Sequence, residues 1–75
     1  MNELLKVLVE RDGEEEAKAE IDVTFKNVGY DIETMPLDKA IERALSDLNL
    51  SKDFTETVTN AFYRWEADRL NGKKF

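Results

Sequence analysis

Residues 14–28 read EEEAKAEIDVTFKNV, and two different secondary structures fit this stretch. Apolar and polar residues alternate along its centre, which is the period of a strand with one buried face; the apolar members are Ala17, Ala19, Ile21, Val23 and Phe25. The stretch is also rich in Ile, Val, Thr and Phe, which favour strands. We therefore favour a strand over residues 15–26.

A helix is the competing interpretation of the same stretch. Helical spacing also places four apolar residues in one stripe: Ala17, Ile21, Phe25 and Val28. Two pairs of opposite charge lie four residues apart, where side chains on a helix meet: Glu14 with Lys18 and Asp22 with Lys26. The sequence leaves this alternative open.

The segment before this stretch favours a hairpin because its register is consistent. If residues 3–10 form the first strand and residues 12–14 the turn, three apolar pairs face each other: Val9 with Ala17, Val7 with Ala19, and Leu5 with Ile21. Residues 28–33 continue the alternation through Val28, Tyr30 and Ile32. They would add a short third strand to make a meander.

The C-terminal half predicts two helices. Over residues 36–48 the apolar residues follow one helical stripe: Leu37, Ile41, Ala44, Leu45 and Leu48. A second stripe over residues 52–70 contains Phe54, Val58, Ala61, Phe62 and Trp65. Pro36 suits a helix start, Ser51 is a good N-cap residue, and Asn71-Gly72 is a stop signal. We expect two antiparallel helices joined by a short turn.

These elements predict a single α+β domain over residues 1–75, in which an antiparallel hairpin or three-stranded meander packs against two antiparallel helices. A chain of this size buries only about 60% of its extended surface, so it has room for one core. With helices on one face of the sheet, the other face meets water. That outer face would carry Glu10, Glu16, Glu20 and Asp22, interrupted by Lys6, Lys18, Leu4 and Leu8.

Charge is distributed unevenly along the chain. The net charge of the 75 residues is −6. Residues 1–38 contain eleven acids and four bases, a net −7, whereas residues 39–75 contain six acids and seven bases, a net +1. Residues 10–22, ERDGEEEAKAEID, hold seven acids and two bases. Such a run costs stability through repulsion unless something outside the chain uses it, although a net negative charge can also simply keep a small protein soluble.

The composition argues against an enzyme. The chain has no His and no Cys, which removes the usual general base at neutral pH and the usual strong nucleophile. Its three glycines form no phosphate-binding loop. The acids around residue 13 lack the frame and the final Glu of a calcium loop. We expect no catalysis, no metal site and no cofactor.

The same features suggest a compartment and exclude some partners. No apolar run approaches the roughly 20 residues that span a bilayer, and the acidic N-terminus is unlike a signal peptide. A chain without Cys fits the reduced cytoplasm. The second predicted helix carries a net −1 and would be repelled by phosphates, so we expect no direct nucleic-acid binding.

In size, in its lack of Cys and in its acidic segment ERDGEEEAKAEID, the chain resembles the small acidic proteins that phages make early in infection to disable host machinery. Some of those proteins resemble DNA in charge and occupy the nucleic-acid site of a basic host protein, such as an HU-type nucleoid protein or RNA polymerase. The resemblance implies an inhibitory DNA mimic acting in the host cytoplasm. It implies no fold, because these proteins share none.

The functional hypothesis is a non-enzymatic binding protein whose acidic face engages a Lys/Arg-rich, nucleic-acid-binding protein. The residues expected at this interface are Glu10, Asp12, Glu14, Glu15, Glu16, Glu20 and Asp22. The alternative is a small structural or assembly module that forms a homodimer or docks on another subunit. It would use an apolar surface made of Leu4, Leu8, Tyr30 and Tyr63.

Overall fold

The structure is a computed structural model that describes residues 3–72. Its four α-helices are α1 (Glu3–Asp12), α2 (Glu14–Asp31), α3 (Leu37–Asp47) and α4 (Thr55–Leu70), and a 3₁₀ turn at Lys52–Phe54 precedes α4. None of the described residues lies in a strand. The α+β prediction is therefore wrong, and the fold is all-α.

The segment predicted as the second strand lies inside α2, and the third predicted strand begins in that helix and ends in the turn after it. The helical stripe within the stretch is the one that the fold uses: Ala17, Ile21, Phe25 and Val28 are all buried. Ala19 and Val23, which a sheet would have buried beside them, are exposed. The two charge pairs are formed as well, at 3.0 Å between Lys18 and Glu14 and 3.1 Å between Lys26 and Asp22.

The first predicted strand lies inside α1, which buries Leu4, Leu5 and Leu8 on one helical face. This corrects the prediction that Leu4 and Leu8 face water, since neither side chain has any exposed surface. A turn does occur where the hairpin loop was expected, but it joins two helices through Gly13. The positive φ of Gly13, 93°, is a conformation that other residues adopt only at a cost.

The two C-terminal helices agree with the prediction, apart from the start of α4. Pro36 directly precedes the first residue of α3. Ser51 precedes the 3₁₀ turn instead of capping α4, and its side chain makes no capping hydrogen bond. The stop signal acts as expected, because α4 ends at Leu70 and is followed by Asn71 and Gly72, whose φ is 76°.

One hydrophobic core receives side chains from all four helices. Helix α2 contacts α1 and α3, and α4 also contacts both of these helices. An aromatic cluster joins α2 to α4: the ring of Phe25 meets Phe62 at 5.6 Å and Trp65 at 5.9 Å between centroids, both edge-on. Such pairs add about 0.5–1.5 kcal/mol beyond the area that they bury. The burial of Trp65 confirms its prediction as a core residue.

Within residues 3–72, no helix combines the length and the apolar character needed to cross a bilayer.

Two substitutions in α2 test the helical assignment directly. Phe25→Ala should lower the free energy of unfolding by about 3–5 kcal/mol, because it opens a cavity in the aromatic cluster. Val23→Ala, two residues away, should change it by less than about 0.5 kcal/mol, because Val23 is exposed. Urea unfolding followed by circular dichroism measures both.

A chain of this length has a total stability of only about 4–11 kcal/mol. Phe25→Leu, with an expected loss of about 1–1.5 kcal/mol, therefore keeps the comparison measurable if the Ala variant does not fold. In a strand the side chains of Val23 and Phe25 would both lie on the buried face. Similar losses at both positions would contradict the helix.

Candidate binding surface at the acidic corner

The Gly13 turn brings the end of α1 and the start of α2 together at one corner of the molecule. An open hollow at this corner is lined by Gly13 and four carboxylates, which we call the acidic corner: Asp12, Glu14, Glu15 and Glu16. All four were predicted as interface residues. Glu10, also predicted, is exposed on α1, while Glu20 and Asp22 lie further along α2.

Part of this acidic run has a structural role that the sequence analysis missed. Glu14, Glu15 and Glu16 occupy the first turn of α2, and no side chain caps that end because its N-cap residue is Gly13. Negative charge near a helix N-terminus interacts favourably with the helix dipole, by about 0.3–1 kcal/mol at low ionic strength. Some of the repulsion within the run is therefore offset inside the chain.

The predicted row of carboxylates on a sheet face is wrong, because α2 separates its members. Two residues along a helix correspond to a rotation of about 200°, so Glu20 and Asp22 point to different flanks of α2. Glu16 and Glu20 remain neighbours, since they lie one turn apart. The regular spacing expected from alternate strand residues is absent.

Internal ion pairs engage four of the seven predicted interface residues. Two of these ion pairs lie within α2, where Glu14 pairs with Lys18 and Asp22 pairs with Lys26. The other two, Asp12 and Glu20, both approach the guanidinium of Arg11. Glu10, Glu15 and Glu16 form no ion pair with any residue in the described part of the chain.

Arg11 is the central cation of this region. Its Nε donates a hydrogen bond to Oδ2 of Asp12 at 2.9 Å, and its Nη2 lies 2.8 Å from the same oxygen. Nη2 also reaches Oε2 of Glu20 at 3.4 Å. The third nitrogen, Nη1, donates a hydrogen bond to the carbonyl oxygen of Leu48 at 2.7 Å and a longer one to the carbonyl oxygen of Asn49 at 3.5 Å. Arg11 therefore connects the corner to the C-terminal end of α3.

The end of α3 has a geometry that suits this contact. Asn49 has a φ of 56°. Its N–H donates a hydrogen bond to the carbonyl oxygen of Ser46 at 3.1 Å, and the N–H of Leu50 donates one to the carbonyl oxygen of Leu45 at 2.9 Å. Together these bonds form a Schellman motif. The carbonyls of Leu48 and Asn49 then accept from Arg11, and a cation at a helix C-terminus also interacts favourably with the dipole.

The cluster shifts its two carboxyl groups in opposite directions. The hydrogen bond from Arg11 lowers the pKa of Asp12. The pKa of Glu20 is raised, chiefly by burial and then by the nearby Asp12. Two carboxyl groups with separated pKa values can serve acid–base chemistry, but with no His or Cys in the chain, no nucleophile of the usual kind accompanies them.

Within residues 3–72, no three acidic side chains come together in a way that could hold a metal ion. Comparisons with protein-family models, with curated proteins and with solved structures found no match.

Removing the Arg11 side chain should weaken the link between the corner and α3. Arg11→Gln should lower the free energy of unfolding by about 1–2 kcal/mol, because a charge-assisted bond to a helix end and two ion pairs are lost at a partly exposed site. Lys18→Gln is the control, with an expected loss of about 0.3–0.5 kcal/mol for one exposed pair. If urea unfolding gives the same loss in the free energy of unfolding for both variants, the contact between Arg11 and the end of α3 stabilises the fold no more than one exposed ion pair does.

The opposite pKa shifts predict opposite pH effects at Asp12 and Glu20. Because the pKa of Glu20 is raised in the folded state, the folded chain holds this proton more tightly than the unfolded chain does. Ionisation of Glu20 therefore lowers stability as the pH rises above 4.5, the ordinary pKa of this carboxyl group. Glu20→Gln should therefore raise stability at pH 7, and the gain should vanish at pH 3.

Asp12 should behave in the opposite way, because its lowered pKa means that its charged form stabilises the folded state. Asp12→Asn should lower stability at pH 7, with the loss disappearing as the pH falls below the ordinary carboxyl range. Urea unfolding of both variants and the wild type at pH 3 and pH 7 measures the two differences. Changes of the same sign at pH 7 would contradict the described cluster.

Proposed function

We propose that this chain is a non-enzymatic binding protein of the cytoplasm that engages a Lys/Arg-rich surface of a partner protein through its acidic corner. The observation that carries the proposal is the exposure of Glu15 and Glu16 at the start of α2, where neither has a cationic partner among the described residues. Asp12 and Glu14 line the same hollow. A cation from another molecule would neutralise charge that the chain itself leaves unmatched.

The other helices show that helix stabilisation alone does not require so many acids. The first turn of α1, α3 and α4 contains one acid each, Glu3, Asp38 and Glu56. The first turn of α2 contains three. If one acid is enough to complement a helix dipole here, the additional acids at α2 repel one another, and only Glu14 is offset by an ion pair with a described residue, Lys18. This excess of negative charge supports a role in binding.

The spacing of the corner suits a surface that acts as a unit. Glu14, Glu15 and Glu16 are consecutive, with neighbouring Cα atoms about 3.8 Å apart, and they line the same hollow as Asp12. The Debye length at physiological ionic strength is about 8 Å. The potentials of the corner carboxylates therefore add before salt screens them. Such a patch steers a basic partner towards the corner and raises the association rate, most strongly at low salt.

A basic nucleic-acid-binding protein, such as an HU-type nucleoid protein or RNA polymerase, is the partner class that we propose to test first. Its Lys/Arg-rich binding surface is complementary to the corner in charge, and occupation of that surface would inhibit nucleic-acid binding. The proposal relies on charge density. The regular carboxylate spacing that would copy a DNA backbone depended on the hairpin, which is absent.

Self-association or subunit docking through apolar surface is a second candidate, favoured by the exposure of Tyr30 and Tyr63. The buried Leu4 and Leu8 cannot take part in it. Salt separates the two candidates, since binding at the acidic corner weakens as salt rises whereas apolar docking does not.

A pair of charge-neutralising variants tests the proposal. Glu14→Gln/Glu15→Gln should weaken binding to an HU-type protein by about threefold to tenfold at low salt, since each exposed charge contact contributes up to about 1 kcal/mol. The matched control is Asp38→Asn/Glu56→Gln, which removes the same charge from the first turns of two other helices. It should change the affinity by less than about twofold. Fluorescence anisotropy with labelled HU-type protein, with and without competing DNA, gives both affinities.

The effect of the corner variant should shrink at high salt, where screening already weakens the wild-type complex. Circular dichroism establishes that each variant is folded. Equal losses in the two variants would show that only net charge matters and would refute the corner as the site. Absence of low-salt binding to HU-type protein, RNA polymerase and polylysine alike would refute the proposed function.

A further inference from the structure

A second concavity, which we call the α2–α3 groove, runs along α2 from Glu16 to the end of α3. It has a volume of about 500 Å³, and its walls include Glu16, Ala19, Glu20, Val23, Asn27 and Asp47. Glu16 is shared with the acidic corner, so the groove continues the corner along the helix. The groove differs from the corner because its lining also contains apolar side chains beside the acids.

The charges of the groove are all of one sign. Its titratable lining groups are Glu16, Glu20 and Asp47, and no basic side chain belongs to the lining. Asp47 is the last residue of α3, where the helix dipole disfavours an acid, and the last turn of α3 contains no basic residue. These three carboxylates come from two helices and line one concavity, and Glu20 alone among them forms an ion pair with a described residue, Arg11.

Arg11 is the one described cation that forms an ion pair with a carboxylate of the groove, and its shorter contacts are made to other groups. Its shorter contacts are to Asp12 at 2.8 Å and to the carbonyl of Leu48 at 2.7 Å, whereas Glu20 lies 3.4 Å away. Burial, Asp12 and Glu16 all raise the pKa of Glu20, and only Arg11 opposes them. The negative charge of the groove is therefore only partly balanced by cations among the described residues.

The apolar part of the groove is Ala19 and Val23. The side chain of Val23 is 59% exposed, so the core does not explain its presence. A β-branched residue is also a poorer helix former than Ala, Glu or Lys, so helix formation does not explain it either. An apolar strip beside acidic residues is complementary to a segment in which an apolar side chain lies next to cations.

We infer that the α2–α3 groove receives a cationic segment of a partner protein. An apolar side chain of that segment packs on Val23, and flanking Lys or Arg residues pair with Glu16, Glu20 and Asp47. The inference rests on the proposed function, because it assumes the same basic partner. It adds a specificity element, since charge alone would attract any basic surface, whereas the groove selects for an apolar residue at the correct position.

Two peptides of equal charge separate this inference from the proposed function. The first probe is octalysine, and the second contains eight lysines with leucines inserted at helical spacing. Both should bind the wild-type chain at low salt, and the leucine-containing peptide should bind about fivefold more tightly or better, because it also buries apolar surface. Isothermal titration calorimetry measures the affinities.

Variants at single exposed positions then locate the extra affinity. Val23→Ser should reduce the preference for the leucine-containing peptide to less than about twofold, while Leu70→Ser, at another exposed apolar position on a different helix, should leave it unchanged. Asp47→Asn should weaken the binding of both peptides. Amide chemical-shift changes on titration should include residues 16, 20, 23 and 47.

The possible results have distinct meanings. Equal affinity for the two peptides, or a preference that survives Val23→Ser, overturns the groove and leaves the acidic corner as the binding site. Equal reductions in preference by Val23→Ser and Leu70→Ser also overturn it, because the effect would then be general to exposed apolar surface. If neither peptide binds at low salt, the groove is overturned; if HU-type protein and RNA polymerase also fail to bind, the proposed function fails as well.

Discussion

The packing of Phe25 against Phe62 and Trp65 connects α2 to α4, the two longest helices of the fold. Because α2 also contacts α1 and α3, this aromatic contact fixes the rotation of a helix that touches each of the other three α-helices. Once Phe25 points inwards, helical geometry determines where each remaining residue of α2 must point. The positions of Glu16 and Val23 on the surface are therefore consequences of how the core is packed.

The sequence was sufficient for the C-terminal helices because their apolar spacing fits only one period. Over residues 14–28 it was not, since four residues equal both two strand repeats and about one helical turn. Ala17, Ile21 and Phe25 satisfy both patterns equally. The residues that discriminate are Ala19 and Val23, which only the strand would bury and which are exposed in the structure. The β propensity of Val23 and its neighbours favoured the wrong choice, and tertiary packing overrode it.

The candidate site was predictable in composition but not in arrangement. Net charge does not depend on fold, so the acids around Gly13 could be identified from the sequence alone. Their grouping does depend on fold, because a rotation of about 200° per two residues separates Glu20 from Asp22. The contact between Arg11 and Leu48 spans 37 positions, and Asp47 joins the groove from α3. No local pattern reports contacts of this kind, since they exist only after two helix ends meet.

The pattern that misled the strand prediction also has a physical meaning in the helix. Helix α2 carries one apolar stripe that the core requires, and in addition Ala19, Val23 and Tyr30 on its exposed side. The superposition of these two sets produces the strand-like alternation. The second set gives no packing energy to the core, and exposed apolar surface lowers solubility. An acidic residue at position 23 would serve solubility better in a free helix. Val23 lies beside Glu16 and Glu20 in the lining of the α2–α3 groove, and this is why we infer that it serves a contact with a partner.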